Sequence, residues 1–440
     1  MTRTRVKCLG HSIPARVGLA GLYSACLALY ALLGAVGVVL GRRSRANGGP
    51  YHVLVVGTFY TRNWCISHLA PLAAARNVRR VTAIVEGPIQ PIANVDYVQP
   101  SGWPVRLGGR AFGKFCCAIR LALKHRPDVV MGYHIVPNAL IALVAARAVG
   151  AASAYQMTAG PVELLGGGWA TENVFVRHLR RPSLVIDRLI HAIARCFDLV
   201  IVRGHGAANY ARTHRLGRAI STIPGSIDVR RFAPRGEKRE YDLVSVGRLV
   251  SVKQPEQTLR VVAILKETFP SVRAIVVGDG PLLEPLKAQA QSLGLVENIE
   301  FAGHVDDVER ILKRSKIFLL TSRSEGLSIA LAEAMSAGAV PVVARVGELG
   351  DLVRDGVNGW LVTPDAIAEY AERIRTLLDS PADLARCSAA AANAAHEHNG
   401  LESIAERWTR ALADACGRPA DCPSPSNTVG PVSLNPAAHK

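Results

Sequence analysis

Two carboxylates, Glu325 and Glu333, stand eight positions apart in SEGLSIALAEAMSAGAVPVV, residues 324–343, a stretch dominated by small and apolar side chains. On a helix that spacing is a little over two turns. If Glu325 sits in the loop closing the strand KIFLLTS, and LSIALAEAM is the helix that follows, then Gly326, Leu327 and Ser328 lead into its first turn. The start of a helix presents free N–H groups and a positive dipole end, which suit an anion and above all a phosphate. Glu325 at that mouth is placed to accept hydrogen bonds from sugar hydroxyls, and Glu333, two turns in, to hold a ribose diol. Upstream, VGRLVSVKQPE sets Gly247, Arg248 and Lys253 just beyond another strand. A guanidinium contacts phosphate in bidentate fashion and an ammonium acts as a point charge, so the pair fits a diphosphate.

Two other glycine patterns carry less. Gly278 and Gly280 in VVGDGP follow a strand but lack the third glycine of a dinucleotide fingerprint, so a dehydrogenase reading is weak. GGRAFGKF, residues 108–115, imitates a phosphate-binding P-loop up to Lys114, but Phe115 stands where a hydroxyl is needed and no clear strand precedes it. It is set aside as coincidence.

These residues need elements to hold them. YHVLVVG, VRRVTAIVEGP, PDVVMGYH, SAYQMTAG and DLVIVRG read as short apolar strands separated by helical segments. A second series follows in YDLVSVGRL, VRAIVVGDGP, NIEFAGHV, KIFLLTS, AVPVVA and GWLV. Continuous rather than alternating apolar strands predict burial on both faces, hence parallel sheets covered by helices. Two such open sheets leave a crevice at the carboxyl ends of their strands, where ligands bind.

Charge divides the chain. Residues 1–235 carry 30 Lys and Arg against 8 Asp and Glu, whereas residues 236–440 carry 22 against 27. The basic half is expected to face something anionic, such as phospholipid headgroups or a phosphate-bearing substrate. Nucleic acid is not expected, because no zinc-finger spacing or base-stacking array is present and aromatics make up 5% of the residues. The nine cysteines form no C-x-x-C pair and are read as reduced thiols on the cytoplasmic side. Val17 to Leu40 is a run of 24 residues without charge. As a helix it would reach roughly 36 Å, enough for a bilayer core of about 30 Å. With no small-residue cleavage site before GRRSR, it is expected to be an uncleaved anchor.

Taken together, Gly247-Arg248-Leu249 with Lys253, the Glu325/Glu333 spacing, VGDGP and DGVNGWLV resemble the retaining GT-B glycosyltransferases of family 4, the group 1 glycosyl transferases. The likeness is specific over residues 222–365 and looser over 51–221. It implies an α/β protein of two doubly wound Rossmann-like domains facing a central cleft. A nucleotide-sugar donor would be held by the second domain, through Gly247, Arg248, Lys253, Gly278, Gly280, Glu325, Gly326, Leu327, Ser328 and Glu333. In that frame Arg248 and Lys253 meet the diphosphate, Glu325 the transferred sugar and Glu333 the ribose. His134 in GYHIVP matches the place where related lipid mannosyltransferases carry a histidine near the reacting centre. With no D-x-D, the metal signature of single-domain sugar transferases is missing, and neither cofactor nor metal is expected.

The expected layout is a flank (1–16), an anchor (17–41), an acceptor-binding domain (51–221), a linker (222–240) and a donor-binding domain (241–395), then a helix (396–416) that could return to the first domain and a disordered tail (417–440). The resulting expectation is a retaining, single-pass membrane enzyme with cytoplasmic catalytic domains. It would act on a lipid-linked or membrane-proximal glycan, in exopolysaccharide, glycolipid or cell-envelope glycan synthesis. A nucleotide-sugar epimerase and a non-enzymatic membrane-tethered binder are the rival readings.

Overall fold

The computed structural model describes residues 32, 50–59, 62–87, 89, 91–168 and 182–417. The expected flank, the anchor apart from Leu32, and the tail beyond Gly417 lie outside them. Among the described residues no helix is long and apolar enough to cross a membrane.

The first domain holds a sheet of seven parallel strands in the order β3-β2-β1-β4-β5-β6-β7. In chain order these are β1 (Tyr51–Val56), β2 (Val78–Ile84), β3 (Val95–Val98), β4 (Val129–Tyr133), β5 (Ala152–Gln156), β6 (Leu199–Val202) and β7 (Ala219–Thr222). Its helices are α1 (Arg62–Ala73), α2 (Trp103–His125), α3 (Leu140–Val149), α4 (Leu184–Ala194) and α5 (His205–Thr213). The apolar central strands are buried on both faces, as all-parallel sheets require. Val53, Val55 and Met131 pack with Leu69 and Leu72 of α1 on one face, while Leu54, Val56 and Val130 pack with Leu121 of α2 and Ile141 of α3 on the other.

The second domain repeats the design with six parallel strands in the order β10-β9-β8-β11-β12-β13. They are β8 (Tyr241–Val246), β9 (Ala274–Val277), β10 (Ile299–Gly303), β11 (Ser315–Leu320), β12 (Val340–Ala344) and β13 (Trp360–Val362). After the short helix α6 (Val229–Phe232) that enters this domain come α7 (Pro255–Thr268), α8 (Leu283–Ser292), α9 (Val308–Lys313), α10 (Ile329–Ser336), α11 (Ile367–Asp379), α12 (Pro381–Asn399) and α13 (Leu401–Cys416). Leu243, Ile317 and Val342 face one core, and Val244, Phe318 and Val343 the other.

The last helix does not stay with the second domain. Ile404, Trp408, Ala411, Leu412 and Ala415 recur at helical spacing, and this stripe is buried with Tyr51, Leu69 and Leu72 of the first domain. Asn77 Nδ2 donates to the Thr409 carbonyl at 2.8 Å and Arg218 Nη2 to that of Ala415 at 2.8 Å.

Candidate active site

The carboxyl ends of β8 and β11 carry the residues singled out from the sequence. Glu325 lies in the loop after β11 with its side chain 6% exposed. Its Oε1 accepts from Lys253 Nζ at 2.6 Å and from Ser322 Oγ at 2.6 Å. Lys253 closes a short 3-10 turn, Ser251–Lys253, and leaves two of its three ammonium donors for other partners. Arg248 is exposed at the end of β8. Ser328 caps α10 by accepting from the Leu331 amide at 3.3 Å, which leaves earlier amides of the turn available.

The glycines shape the loops. A side chain on Gly278 (φ 139°) would strike the Gly247 carbonyl, and one on Gly280 (φ 155°) the Leu249 carbonyl. Both therefore let the Gly247-Arg248-Leu249 turn rest on the loop after β9, where Leu249 N donates to Asp279 O at 2.9 Å. Gly347 plays the same part under the Glu325 carbonyl.

Glu333 sits on α10 with a buried side chain. Burial pushes its pKa from 4.5 to about 8, against the attraction of Arg231, with Glu309 adding to the rise. Its charged neighbours are thus distinct from those of Glu325, which lies in the loop ahead of α10, whereas Glu333 lies within the helix. Arg231 is itself bonded to Glu309 at 2.8 Å.

Across the cleft, β4 ends in Tyr133, and His134 follows it. His134 has φ 62° and ψ 142°, a conformation that costs a non-glycine residue about 1–3 kcal/mol. Gly132 makes room for the Ala139 backbone to cross over the strand end, and the His134 amide donates to Gln156 O at 3.1 Å. The imidazole Nδ1 lies 3.0 Å from Glu163 Oε1 and 2.8 Å from Thr158 Oγ1. Burial favours neutral imidazole, but the charge and hydrogen bond of Glu163 outweigh it and raise the His134 pKa. Glu163 is buried yet held below the ordinary glutamate value, because His134, the Ala159 amide at 2.6 Å and Tyr155 Oη at 2.9 Å all stabilise its anion.

The two halves of the site meet at Gly326. A Cβ built there lies 3.8 Å from the Thr158 carbonyl, so the Glu325 loop faces the His134–Thr158–Glu163 cluster directly. A second bridge lies beside it: the Glu348 carboxylate accepts from the amides of Gly206 (3.0 Å) and Ala207 (2.8 Å), and Asp351 from that of His205 (2.7 Å). Acids of the second domain thereby cap the N-terminus of α5 in the first.

Sequence reasoning did not single out Glu163, Thr158, Glu348 or Asp351. No motif marks them, and their roles arise from side chains and backbone amides brought close by folding. Lys114, set aside with the P-loop imitation, is buried and bonded to Gly57 O (2.9 Å), Thr58 Oγ1 (2.7 Å) and Glu86 Oε1 (2.6 Å), so it braces the loop after β1. The glycines of 166–168 all adopt positive φ and form a tight turn.

Residues 227–394 match the family model described as Glycosyl transferases group 1. An uncharacterized glycosyltransferase of Haemophilus influenzae is 31% identical over 168 residues, covering 38% of this chain and 47% of that protein. A GDP-mannose:cellobiosyl-diphosphopolyprenol alpha-mannosyltransferase of Komagataeibacter xylinus is 26% identical, over 54% of this chain and 62% of its own. The chain thus spans about half the length of the curated relatives it matches, 47% of the first and 55% of a Mycobacterium tuberculosis glycogen synthase. Among solved structures, HepE of Anabaena in complex with UDP superposes with a TM-score of 0.64 at 18% identity, over 82% of this chain and 99% of that one. At that identity the likeness speaks for the fold, two parallel-sheet Rossmann-like domains of the GT-B kind. The family match thus lies within the second domain, while the likeness of fold extends over both.

Proposed function

We propose that this protein transfers a sugar, with retention of anomeric configuration, from a nucleotide-sugar donor to a lipid-linked or membrane-proximal glycan in envelope polysaccharide or glycolipid synthesis. The observation that carries the reading is the Lys253–Glu325 pair beside the start of α10, facing His134 across the Gly326–Thr158 contact. Cleaving a sugar–phosphate bond builds negative charge on the departing diphosphate. Cations and helix amides already in place stabilise that charge more in the transition state than in the ground state. Glu325 would then orient the transferred sugar, Glu333 the ribose, and the His134–Glu163 pair the acceptor side of the sugar. The cations and amides would carry the leaving-group charge, and turnover is expected to survive chelation.

The donor nucleotide most worth testing first is UDP, because HepE was crystallised with UDP and with UDP-glucose. An acceptor on a polyprenyl diphosphate is supported by the names of relatives such as the Komagataeibacter enzyme and an Escherichia coli galactosyltransferase acting on GlcNAc-diphosphoundecaprenol. The run of residues 17–40 and the basic first domain favour work at a membrane, since each cation near an anionic surface gains about 1 kcal/mol.

The test is incubation with UDP- and GDP-sugars, with and without lipid-linked acceptor, and identification of the products. Acceptor-dependent release of nucleoside diphosphate, with the anomer retained in the product, is expected. An isomerised donor would instead identify the epimerase, and an unconsumed donor with every acceptor would leave a binding protein. Full transfer to a soluble acceptor by an enzyme lacking residues 1–45, without lipid, would remove the membrane part of the proposal.

A further inference from the structure

Among the described residues of the first domain, eight side chains carry enclosed polar atoms without a hydrogen-bond partner, and five of them gather in one place: Ser67 Oγ, His68 Nε2, Tyr133 Oη, both amide atoms of Gln156, and Nε and Nη2 of Arg203, with Asn77, Tyr97 and Arg147 as the other three. The five are held together by the fold. Tyr133 and Gln156 pair in register at the ends of β4 and β5, and Arg203 follows directly on β6. Ala154, Leu199 and Ile201 face the core beneath α1, so by strand alternation Gln156 and Arg203 fall on that same side, with Tyr133. Ser67 and His68 come down from α1. The His68 ring meets that of Tyr133 edge-on at 5.4 Å, and a Cβ on Gly225 would lie against both Ser67 Oγ and Arg203 Nη2.

Such a group is costly to leave empty. Buried polar atoms are nearly always bonded, and a buried guanidinium whose N–H groups lack acceptors is strongly unfavourable. Burial lowers the Arg203 pKa to about 10 even with Tyr133 and Glu325 supporting the charge, and holds His68 well below its usual value. Glu325 acts on Arg203 through its charge, but its Oε1 is taken by Lys253 and Ser322. Arg203 keeps 8% of its surface, and the charge of Glu325 reaches it, so this first-domain cluster lies near the Glu325 loop of the second domain. Its chemistry leans to donors: a forked guanidinium and an amide N–H that only donate, two hydroxyls that can donate, and a ring nitrogen whose role follows its tautomer, against one amide oxygen that can only accept. The complement is a small anion rich in acceptor oxygens.

We propose that Ser67, His68, Tyr133, Gln156 and Arg203 form a subsite for an anionic group, a carboxylate or a phosphate, carried by the acceptor, with Arg203 as its anchor. Attribution to the acceptor rests on the transferase reading; the binding of an anion does not.

The test is thermal melting of the full-length protein, saturated with whichever nucleoside diphosphate stabilises it. Melting is followed during titration with D-glucuronate, with inorganic phosphate, and with glucose as the uncharged control, at constant ionic strength. A saturable rise in Tm with at least one anion and none with glucose is expected. It should be lost in Arg203→Met and weakened about tenfold in Tyr133→Phe, while the nucleotide-induced rise persists in both. A response to glucuronate alone points to a uronate, and one to phosphate alone to a phosphorylated acceptor. No saturable rise with either anion, or an equal rise in Arg203→Met, overturns the subsite and leaves the cluster to bound water. Should Arg203→Met fail to fold, Arg203→Lys keeps the charge and loses the fork, and anion affinity unchanged in it overturns the proposal equally. If no nucleoside diphosphate raises Tm, the transferase reading fails. The anion titration then proceeds without nucleotide in Lys253→Met, and the same criteria decide the subsite.

Discussion

At the scale of residues, the chain spends stability on charge held where charge is expensive. Lys253 and Glu325 are bonded to each other at 2.6 Å, so a diphosphate arriving at Lys253 would find an ammonium already fixed in direction. Lys253→Ala or Arg248→Ala should each lower turnover roughly 10²- to 10³-fold, as loss of one preorganised donor to a developing anion does. Steady-state kinetics with the donor decides it, and near-normal rates in both would remove the diphosphate assignment. Glu333 gives a different readout. Its folded pKa of about 8 lies above the ordinary 4.5, so the folded chain keeps a proton that the unfolded chain releases. The stability from this group is therefore full below about pH 4.5 and is lost as pH rises toward about 8, by up to about 1.4 kcal/mol per unit. Glu333→Gln should flatten the fall in Tm between pH 5 and 8.5, and an unchanged slope would contradict the buried, protonated state. Glu325 and Lys253 were legible because they sit at strand ends in recognisable company. Glu163 and Arg203 were not, since a lone acid in TAGPVELL and an arginine in VIVRG acquire meaning only from the side chains folded against them.

At the scale of elements, the strands that read clearly are those buried on both faces. β4, β6 and β12 are runs without a charged or strongly polar side chain, β1 is one apart from His52, and burial of every residue in them is what writes that pattern. β3 and β7 escaped a reading from sequence because both are four residues long, lie at the sheet edges and are largely half-buried, so no continuous apolar run marks them. α2 was obscured in another way. Gly108 and Gly109 leave helical geometry inside it, and in the sequence they open the GGRAFGKF imitation of a P-loop that was set aside as coincidence. α13 carries the clearest energetic stake. Trp408 is 1% exposed among first-domain residues, and Trp408→Ala should cost about 3–5 kcal/mol in chemical denaturation. A loss below about 1 kcal/mol would mean that the helix docks loosely.

At the scale of the whole molecule, two α/β domains lean on each other at the Gly326–Thr158 approach and at the acids capping α5. The chain passes between them twice. It leaves the first domain after Ile223 and comes back at Gly400, and there Ile227 and Gly400 form a parallel bridge. Asn399 Nδ2 also donates to Gly225 O at 2.8 Å. A protease site inserted at exposed Gly236 and then cleaved should therefore yield fragments that co-elute in gel filtration and part only in denaturant; separation in native buffer would contradict the docking of α13. The paired crossing has a mechanical consequence as well. A single tether lets two bodies twist and tumble, whereas two strips of backbone lying side by side act as a leaf spring that bends about one axis and resists torsion. Opening and shutting of the mouth would then follow one arc, returning the same atoms to the same places on every stroke.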